Sequence, residues 1–314
     1  MKMSNSEGPL RSGFLAGIKR GWSSFVWMCK VIIPVSFVVT LLQWTGWLNQ
    51  LDFLLNPLTG VINLPPEAAL PIITGMVINL YAVIAIITAL PFTVEQMTLI
   101  AIFNMIAHSL IMEGIIQHKS GMNIIKTTVV RVTAAILTVL VVSQFLGDTS
   151  QSIAAPAYLM VQTPFLDVLK GWAVDMMGLL LRIIGIIMVV MIILECSKTL
   201  GWTPYLVKLT RPLMKVLGLP DRTATMWVTA VIFGLFYGGA VIIEEAKEST
   251  LLKEELERLH ISVGINHAMV EDPALFAVLG LNPFWLWVPR FIMAIAVVQA
   301  YRGVEQLRNK LLHS

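Results

Sequence analysis

Long apolar runs are the feature that most constrains this chain, and residues 31–42 and 129–146 are two examples. A helix needs about 20 residues to cross a bilayer, and several runs, with their flanks, reach that length. Of the 314 residues, 57% are hydrophobic and only 13% are charged, which is far more apolar than a soluble domain. The sequence therefore predicts an all-α polytopic membrane protein.

The chain also contains a weak internal repeat. Residues 106–131 align without a gap on residues 265–290, and an upstream stretch aligns at an offset four residues smaller. That difference falls in a polar insertion, EEAKESTLLKEELERL, in the second copy. The aligned ionisable pairs are Lys30 with Arg182, His108 with His267, Glu113 with Asp272, and Arg131 with Arg290. We interpret the pattern as two repeats, 14–146 and 165–303.

Loop charges predict how these repeats cross the membrane. Lys and Arg cluster in the two terminal segments and the loops 117–126 and 197–222, whereas the loops 49–66 and 147–169 contain neither. The positive-inside rule fits this pattern only if the second apolar segment of each copy enters and leaves on one side. We therefore expect six transmembrane helices plus two re-entrant or broken hairpins, with ordinary glycine-packed helices as the alternative.

This topology makes the second repeat inverted relative to the first and divides the chain into five segments. They are a cytoplasmic N-terminal segment (1–13), repeat 1 (14–146), an external linker (147–164), inverted repeat 2 (165–303) and a cytoplasmic tail (304–314).

Ionisable residues inside apolar segments mark the candidate site. A charge at the bilayer centre costs at least about 2.5–3.5 kcal/mol, so such residues should face the bundle interior and pair with each other or with a ligand. The predicted substrate- or ion-binding residues are His108, Glu113, His267, Glu271 and Asp272, with Asn79, Asn104, Asn266 and Tyr237 as neutral partners. The predicted charge network is Arg131, Arg290, Lys30 and Arg182. Alternatively, the arginines neutralise Glu113 and Asp272 and lock the two halves together, and Lys30 extends to the interface.

A metal half-site is one hypothesis for His267 and Glu271, because residues four apart share one face of a regular helix. A hydrogen-bonded pair without metal explains the spacing equally well. His108 and Glu113 are five apart and share a face only on a distorted helix, for which Asp272-Pro273 supplies a break in the second copy. We expect no cofactor beyond a divalent cation or a coupling proton.

Ser109 lacks an acid–base partner in the sequence, so we expect no enzyme activity.

Two paired stretches resemble a known family. LPPEAALPIITGMVINLYAVIAI and LPDRTATMWVTAVIFGLFYGGAVII are followed by helices that contain IAHSLIME and INHAMVED. They are similar to the nucleoside-recognition, or gate, domain of concentrative nucleoside transporters, ferrous-iron permease gates and spore-maturation proteins A and B. The resemblance covers most of both repeats and implies two gate domains in one chain of the bacterial inner membrane. The chain lacks the phosphate-binding loop of the iron permease and the full polar signature of the nucleoside transporters.

These observations predict an inner-membrane transporter of a small polar or charged solute, nucleoside-like, anionic or a divalent metal. The site would lie between the two repeats, with proton coupling as an option. Two alternatives stay open, namely a non-transporting scaffold subunit of an envelope-maturation complex and a lipid head-group flippase. The expected partners are the bilayer and the solute, with a homo-oligomer compatible and nucleic acid excluded.

Overall fold

The computed structural model describes residues 8–47, 59–150, 163–248 and 251–312. Every regular element among them is helical, which confirms the all-α polytopic fold class. The first repeat contains α1 (Pro9–Trp44), the 3-10 turn η1 (Pro66–Ala68), α2 (Ala69–Val77), α3 (Leu80–Ala89), α4 (Val94–Ala107), α5 (Leu110–Lys119) and α6 (Ile124–Ser143). The second contains α7 (Phe165–Thr199), α8 (Thr203–Leu217), η2 (Asp221–Thr223), α9 (Ala224–Phe233), α10 (Leu235–Glu248), α11 (Lys253–Asn266), α12 (Glu271–Ala277) and α13 (Pro283–Leu312).

Parts of three predictions lie outside the described residues. They are the first half of the N-terminal segment, most of the external linker and the side chain of Tyr237. The region 197–222, which we predicted as a basic loop, instead contains α8, so this part of the prediction was wrong.

Five stretches of the described chain are long and apolar enough to cross a membrane: Pro9–Trp44, Val94–Lys119, Ile124–Ser143, Phe165–Thr199 and Pro283–Arg308. The sixth predicted crossing, 259–281, consists of two shorter helices, α11 and α12, with four residues between them. The two predicted hairpins are each broken, between α2 and α3 and between α9 and α10.

The first helices of the two repeats pack closely against each other. Gly13, Gly17 and Gly21 follow one face of α1, and a Cβ atom on Gly13 would lie 2.9 Å from the Cα of Cys196. The same addition on Gly21 would meet Met188, so contacts on α7 move backward as α1 moves forward. Small residues at this spacing allow two membrane helices to approach each other. The antiparallel packing of α1 and α7 is the relation that inverted repeats require.

Side-chain caps define several helix starts. Asn79 accepts from the backbone N–H of Ala82 and begins α3, and Asn123 accepts from Lys126 and begins α6. Thr93 and Gln96 form a capping box at the start of α4. Each cap satisfies a backbone N–H that the first helical turn leaves unpaired. Asn79 therefore has a structural role at the break that follows α2.

Candidate functional site

The third apolar segment of each repeat is interrupted at the same aligned position. Helix α4 ends before His108, and Ser109 adopts a left-handed backbone with φ +47°. Helix α11 ends before His267, and Ala268 has φ +49°. A positive φ is uncommon outside glycine, so two such residues at matched positions indicate that the break in the helix is a specific feature of both repeats.

The location of the second break differs from the expectation. Pro273 lies in the first turn of α12, where its missing N–H would have no partner within the helix in any case. The helix is therefore interrupted before Glu271, and the continuous helix that the hypothesis for His267 and Glu271 assumed is not present.

In each repeat, the break after the histidine forms hydrogen bonds with the backbone of the interrupted second segment. The N–H of Ser109 donates to the carbonyl oxygen of Gly75 at 2.9 Å, and its hydroxyl donates to Ile78 at 3.0 Å. In the second repeat, Ala268 N–H donates to Ala230 and Met269 N–H donates to Val231, at 3.2 and 2.7 Å. Irregular backbone at membrane depth requires such protein partners because lipid offers none. The two breaks of each repeat therefore form one structural unit.

Two buried arginines hold the carbonyl ends of these breaks. Arg131 Nε donates to Ile106 at 2.8 Å, and its Nη2 donates to His108 at 2.9 Å. Arg290 makes the same two bonds, to the carbonyl oxygens of Ile265 and His267. A guanidinium at a helix C-terminus pairs with the carbonyl groups that the last turn leaves free and with the negative end of the helix dipole.

The remaining nitrogen of each arginine faces a carboxylate of its own repeat. Arg131 Nη1 lies 2.7 Å from Glu113 Oε2, whereas Arg290 Nη1 lies 4.0 Å from Asp272 Oδ2. Both ion pairs are within one repeat, so they do not lock the two halves together in the way that we considered.

Glu113 and two histidines make one polar contact between the repeats. Glu113 Oε1 lies 3.0 Å from His108 Nε2 and 3.2 Å from His267 Nε2. The two Nε2 atoms are 3.3 Å apart, and all three side chains are buried. His108 and Glu113 come from the first repeat and His267 from the second, so the breaks bring together three of the predicted site residues.

A cavity of about 320 Å³ lies against this triad, between α1, α7 and the breaks of both repeats. Asn79, Glu271 and Asp272 also line it, as do Arg20 and Trp27 from α1. The hydroxyl of Tyr81 donates to Glu271 Oε1 at 3.2 Å and is a second polar contact between the repeats. Tyr81 follows the break at Asn79 within one turn.

The other predicted residues whose side chains the structure describes lie outside the cavity. Asn104 is fully buried behind it, and its Oδ1 would lie 1.9 Å from a Cβ on Gly75. Asn266 is buried beside the second break. Lys30 and Arg182 face outward from α1 and α7, and Arg182 bonds to Gly178 on its own helix. The predicted charge network therefore does not form as a whole.

The polar insertion of the second repeat ties α11 to its neighbours through ion pairs. Glu257 accepts from Lys126 Nζ at 2.7 Å, and Lys126 also bonds to Tyr301 at 2.6 Å. Burial raises the pKa of Glu257, but the hydrogen bonds from Lys126 and Tyr301 outweigh it and lower the pKa below its usual value. Pairs from Arg222 to Glu255 and from Arg258 to Glu305 extend the network. The C-terminal part of the insertion is therefore held against neighbouring helices.

These features define a polytopic helical membrane protein in which two repeats with broken helices enclose a charged cavity. The chain is 30% identical over 291 residues to YvoD, an uncharacterized membrane protein of Bacillus subtilis (strain 168). The match covers 91% of this chain and 93% of YvoD, so the chain belongs to the YvoD family. No family model matches the sequence, and no solved structure matches it.

Proposed function

We propose that the protein transports a small polar or charged solute across the cytoplasmic membrane. The observation that carries the proposal is the cavity between the repeats, because Glu113, His108 and His267 meet there beside four helix breaks. Ionisable residues within a membrane are costly, and they mark solute or proton pathways in transporters. Discontinuous helices at a repeat interface are likewise typical of transporter binding sites.

The unequal packing of the two repeats supports a conformational cycle. Helix α3 packs against α1, whereas its counterpart α10 packs against α5 of the other repeat. One example is Gly239, where an added Cβ would lie 2.4 Å from Ile116. In inverted-repeat transporters, access alternates when one repeat moves against the other around a fixed site. An exchange of these two packing arrangements would expose the cavity to the opposite side.

The lining residues indicate which side the cavity faces in this state. It extends along the N-terminal half of α1, through Arg20 and Ser24, to Met191 near the C-terminal end of α7. Arg20 also pairs with Glu195 of α7. With both termini in the cytoplasm, as the loop charges predict, this end of the molecule is cytoplasmic. The state described is then the inward-facing one.

The accessibility of single cysteines to a thiol reagent tests alternating access without knowledge of the transported solute. In a background in which Cys29 and Cys196 are replaced by serine, Ile78→Cys places a thiol at a cavity-lining break. We expect a membrane-impermeant thiol reagent to label it from either side of proteoliposomes. Val189→Cys on the outer face of α7, which is 57% exposed and does not line this cavity, is the matched control and should resist labelling.

Labelling of Ile78→Cys from one side only, under every condition, would favour a scaffold without transport. Uptake by the cysteine-free protein is measured in parallel with nucleosides, carboxylates, phosphate and divalent cations, with and without a pH gradient.

A further inference from the structure

The hydrogen bonds of the two histidines determine which ring nitrogens carry protons. His108 Nδ1 lies 2.8 Å from the carbonyl oxygen of Asn104, and His267 Nδ1 lies 3.2 Å from that of Val263. A carbonyl oxygen only accepts, so each Nδ1 must be the donor. In the neutral rings, each Nε2 therefore presents a lone pair.

Three lone-pair atoms then face one another in the triad. They are the two Nε2 atoms and Glu113 Oε1, at mutual distances of 3.0, 3.2 and 3.3 Å. Three acceptors at this separation repel each other unless a proton or a metal cation lies between them. Glu113 Oε2 is held by Arg131 at 2.7 Å, so Oε1 is the oxygen left for that cation.

We propose that His108, Glu113 and His267 bind a divalent transition-metal cation such as Zn²⁺, and that this cation is the solute class of the cavity. The second part rests on the proposed transport function. Each of the three residues offers one ligand atom, and these atoms all lie within 4.8 Å of one another.

The size of the triangle matches a first-row divalent metal. Ligands at about 2.0–2.2 Å from a tetrahedral zinc ion are separated by about 3.3–3.6 Å, and octahedral ligands by slightly less. The observed edges need only a slight expansion to reach this range. Two imidazoles and one carboxylate favour zinc-like cations over Mg²⁺ and Ca²⁺, which prefer oxygen ligands alone.

The surroundings of the triad fit this assignment. A metal-binding histidine usually donates its other N–H to a carboxylate or a backbone carbonyl, as both rings do here. Asp272 and Glu271 line the same cavity and place two further carboxyl groups near the triad, while Arg20, which also lines it, pairs with Glu195. The cavity side of the triad leaves room for water or a further carboxylate to complete the coordination.

The direct test is metal binding by the full-length protein in detergent. The protein is stripped with a chelator and titrated with Zn²⁺ or Mn²⁺ in competition with a chromophoric chelator, with Mg²⁺ as the control cation. We expect one Zn²⁺ per chain. His108→Ala, Glu113→Gln and His267→Ala should each weaken Zn²⁺ binding by more than about 100-fold, because an outer-shell partner alone is worth about 10–100-fold.

His260→Gln is the matched control. His260 is buried on α11, the helix that ends just before His267, but its ring faces Ser120 and does not line the cavity. This variant should bind Zn²⁺ as the unmodified protein does. The spectrum of the Co²⁺-loaded unmodified protein gives a readout that needs no variant, and two imidazole ligands are expected.

The inference would be overturned if the unmodified protein does not bind Zn²⁺ tightly. It would also be overturned if the three ligand variants bind Zn²⁺ as tightly as the unmodified protein does. Proteoliposomes that contain a trapped metal-sensitive dye separate the two proposals. Zn²⁺ binding without uptake would support the site and refute transport of the cation. Uptake of an organic solute by protein that binds no metal would support transport and reject the metal site.

Discussion

Removal of Arg131 should be among the most damaging single changes in the membrane-embedded part of the protein. Its guanidinium, which is 1% exposed, binds the carbonyl oxygens of Ile106 and His108 and lies 2.7 Å from Glu113. Arg131→Met leaves a buried carboxylate without its partner, which costs about 3–5 kcal/mol. Part of that cost should disappear in the double variant Arg131→Met/Glu113→Gln, because the unpaired charge is then also gone.

The second repeat provides an internal comparison for this pair. Arg290 and Asp272 occupy the same aligned positions but are 4.0 Å apart. Since Coulomb energy varies inversely with distance, the attraction at 4.0 Å is about two thirds of that at 2.7 Å. We therefore expect the coupling energy of Arg290 and Asp272 to be about two thirds of that of Arg131 and Glu113, with both inside the range of about 0.5–3 kcal/mol that is usual for interacting residues.

The assay is reversible unfolding in mixed micelles for the two single variants and the double variant of each pair. Strict additivity for Arg131 and Glu113, with no recovery in the double variant, would refute the reasoning. It would mean that the arginine stabilises the break through its carbonyl bonds alone.

Three further predictions concern packing and polar contacts. Gly17→Ala should destabilise the protein by about 1–3 kcal/mol, because the new Cβ would lie 2.5 Å from a backbone atom of α7. In the control Gly185→Ala the new Cβ meets nothing within 4 Å, so this variant should be neutral or stabilising. Equal effects of the two variants on the free energy of unfolding would contradict the packing argument. Tyr81→Phe should cost about 1 kcal/mol in the same assay, and much less in a Glu271→Met background, which has no acceptor oxygen; an unchanged cost there would show that the bond is unimportant. The folded pKa of Glu257 is lowered, so its stabilising contribution is present above the unfolded pKa of about 4.3 and is lost as the pH falls through the folded value. Glu257→Gln and the unmodified protein should therefore converge in stability in acid. A stability difference that stays constant across pH would contradict this assignment.

Several features of the fold were predictable because they depend on local pattern. The apolar runs predicted membrane helices, and the repeat predicted that matched elements would recur, since aligned residues meet similar local constraints. The glycines of the second segments predicted broken backbone, and the breaks lie at Asn79 and Gly234. The close packing of α1 on α7 was missed, although the spacing of Gly13, Gly17 and Gly21 is a readable signal.

The sequence predicted which residues form the candidate site better than it predicted how they contact one another. His108, Glu113 and His267 were all selected as ionisable residues in apolar segments. The helical spacing of His267 and Glu271 was misleading because it assumes a continuous helix, whereas the chain leaves the helical conformation at His267 and Ala268. Asp272-Pro273 was likewise misread, since proline in a first turn begins a helix as readily as it ends one.

The sequence by itself determined that this is a helical membrane protein, that it is built from two related halves, and which ionisable side chains the membrane must accommodate. Each of these follows from the free-energy cost of polar groups in lipid, which acts on every segment separately. Only the tertiary structure decided that Glu113 contacts the histidines of both repeats, while Asp272 lies apart and Glu271 pairs with Tyr81. Those contacts join residues up to 190 positions apart, and they depend on how the breaks of one repeat pack against the other.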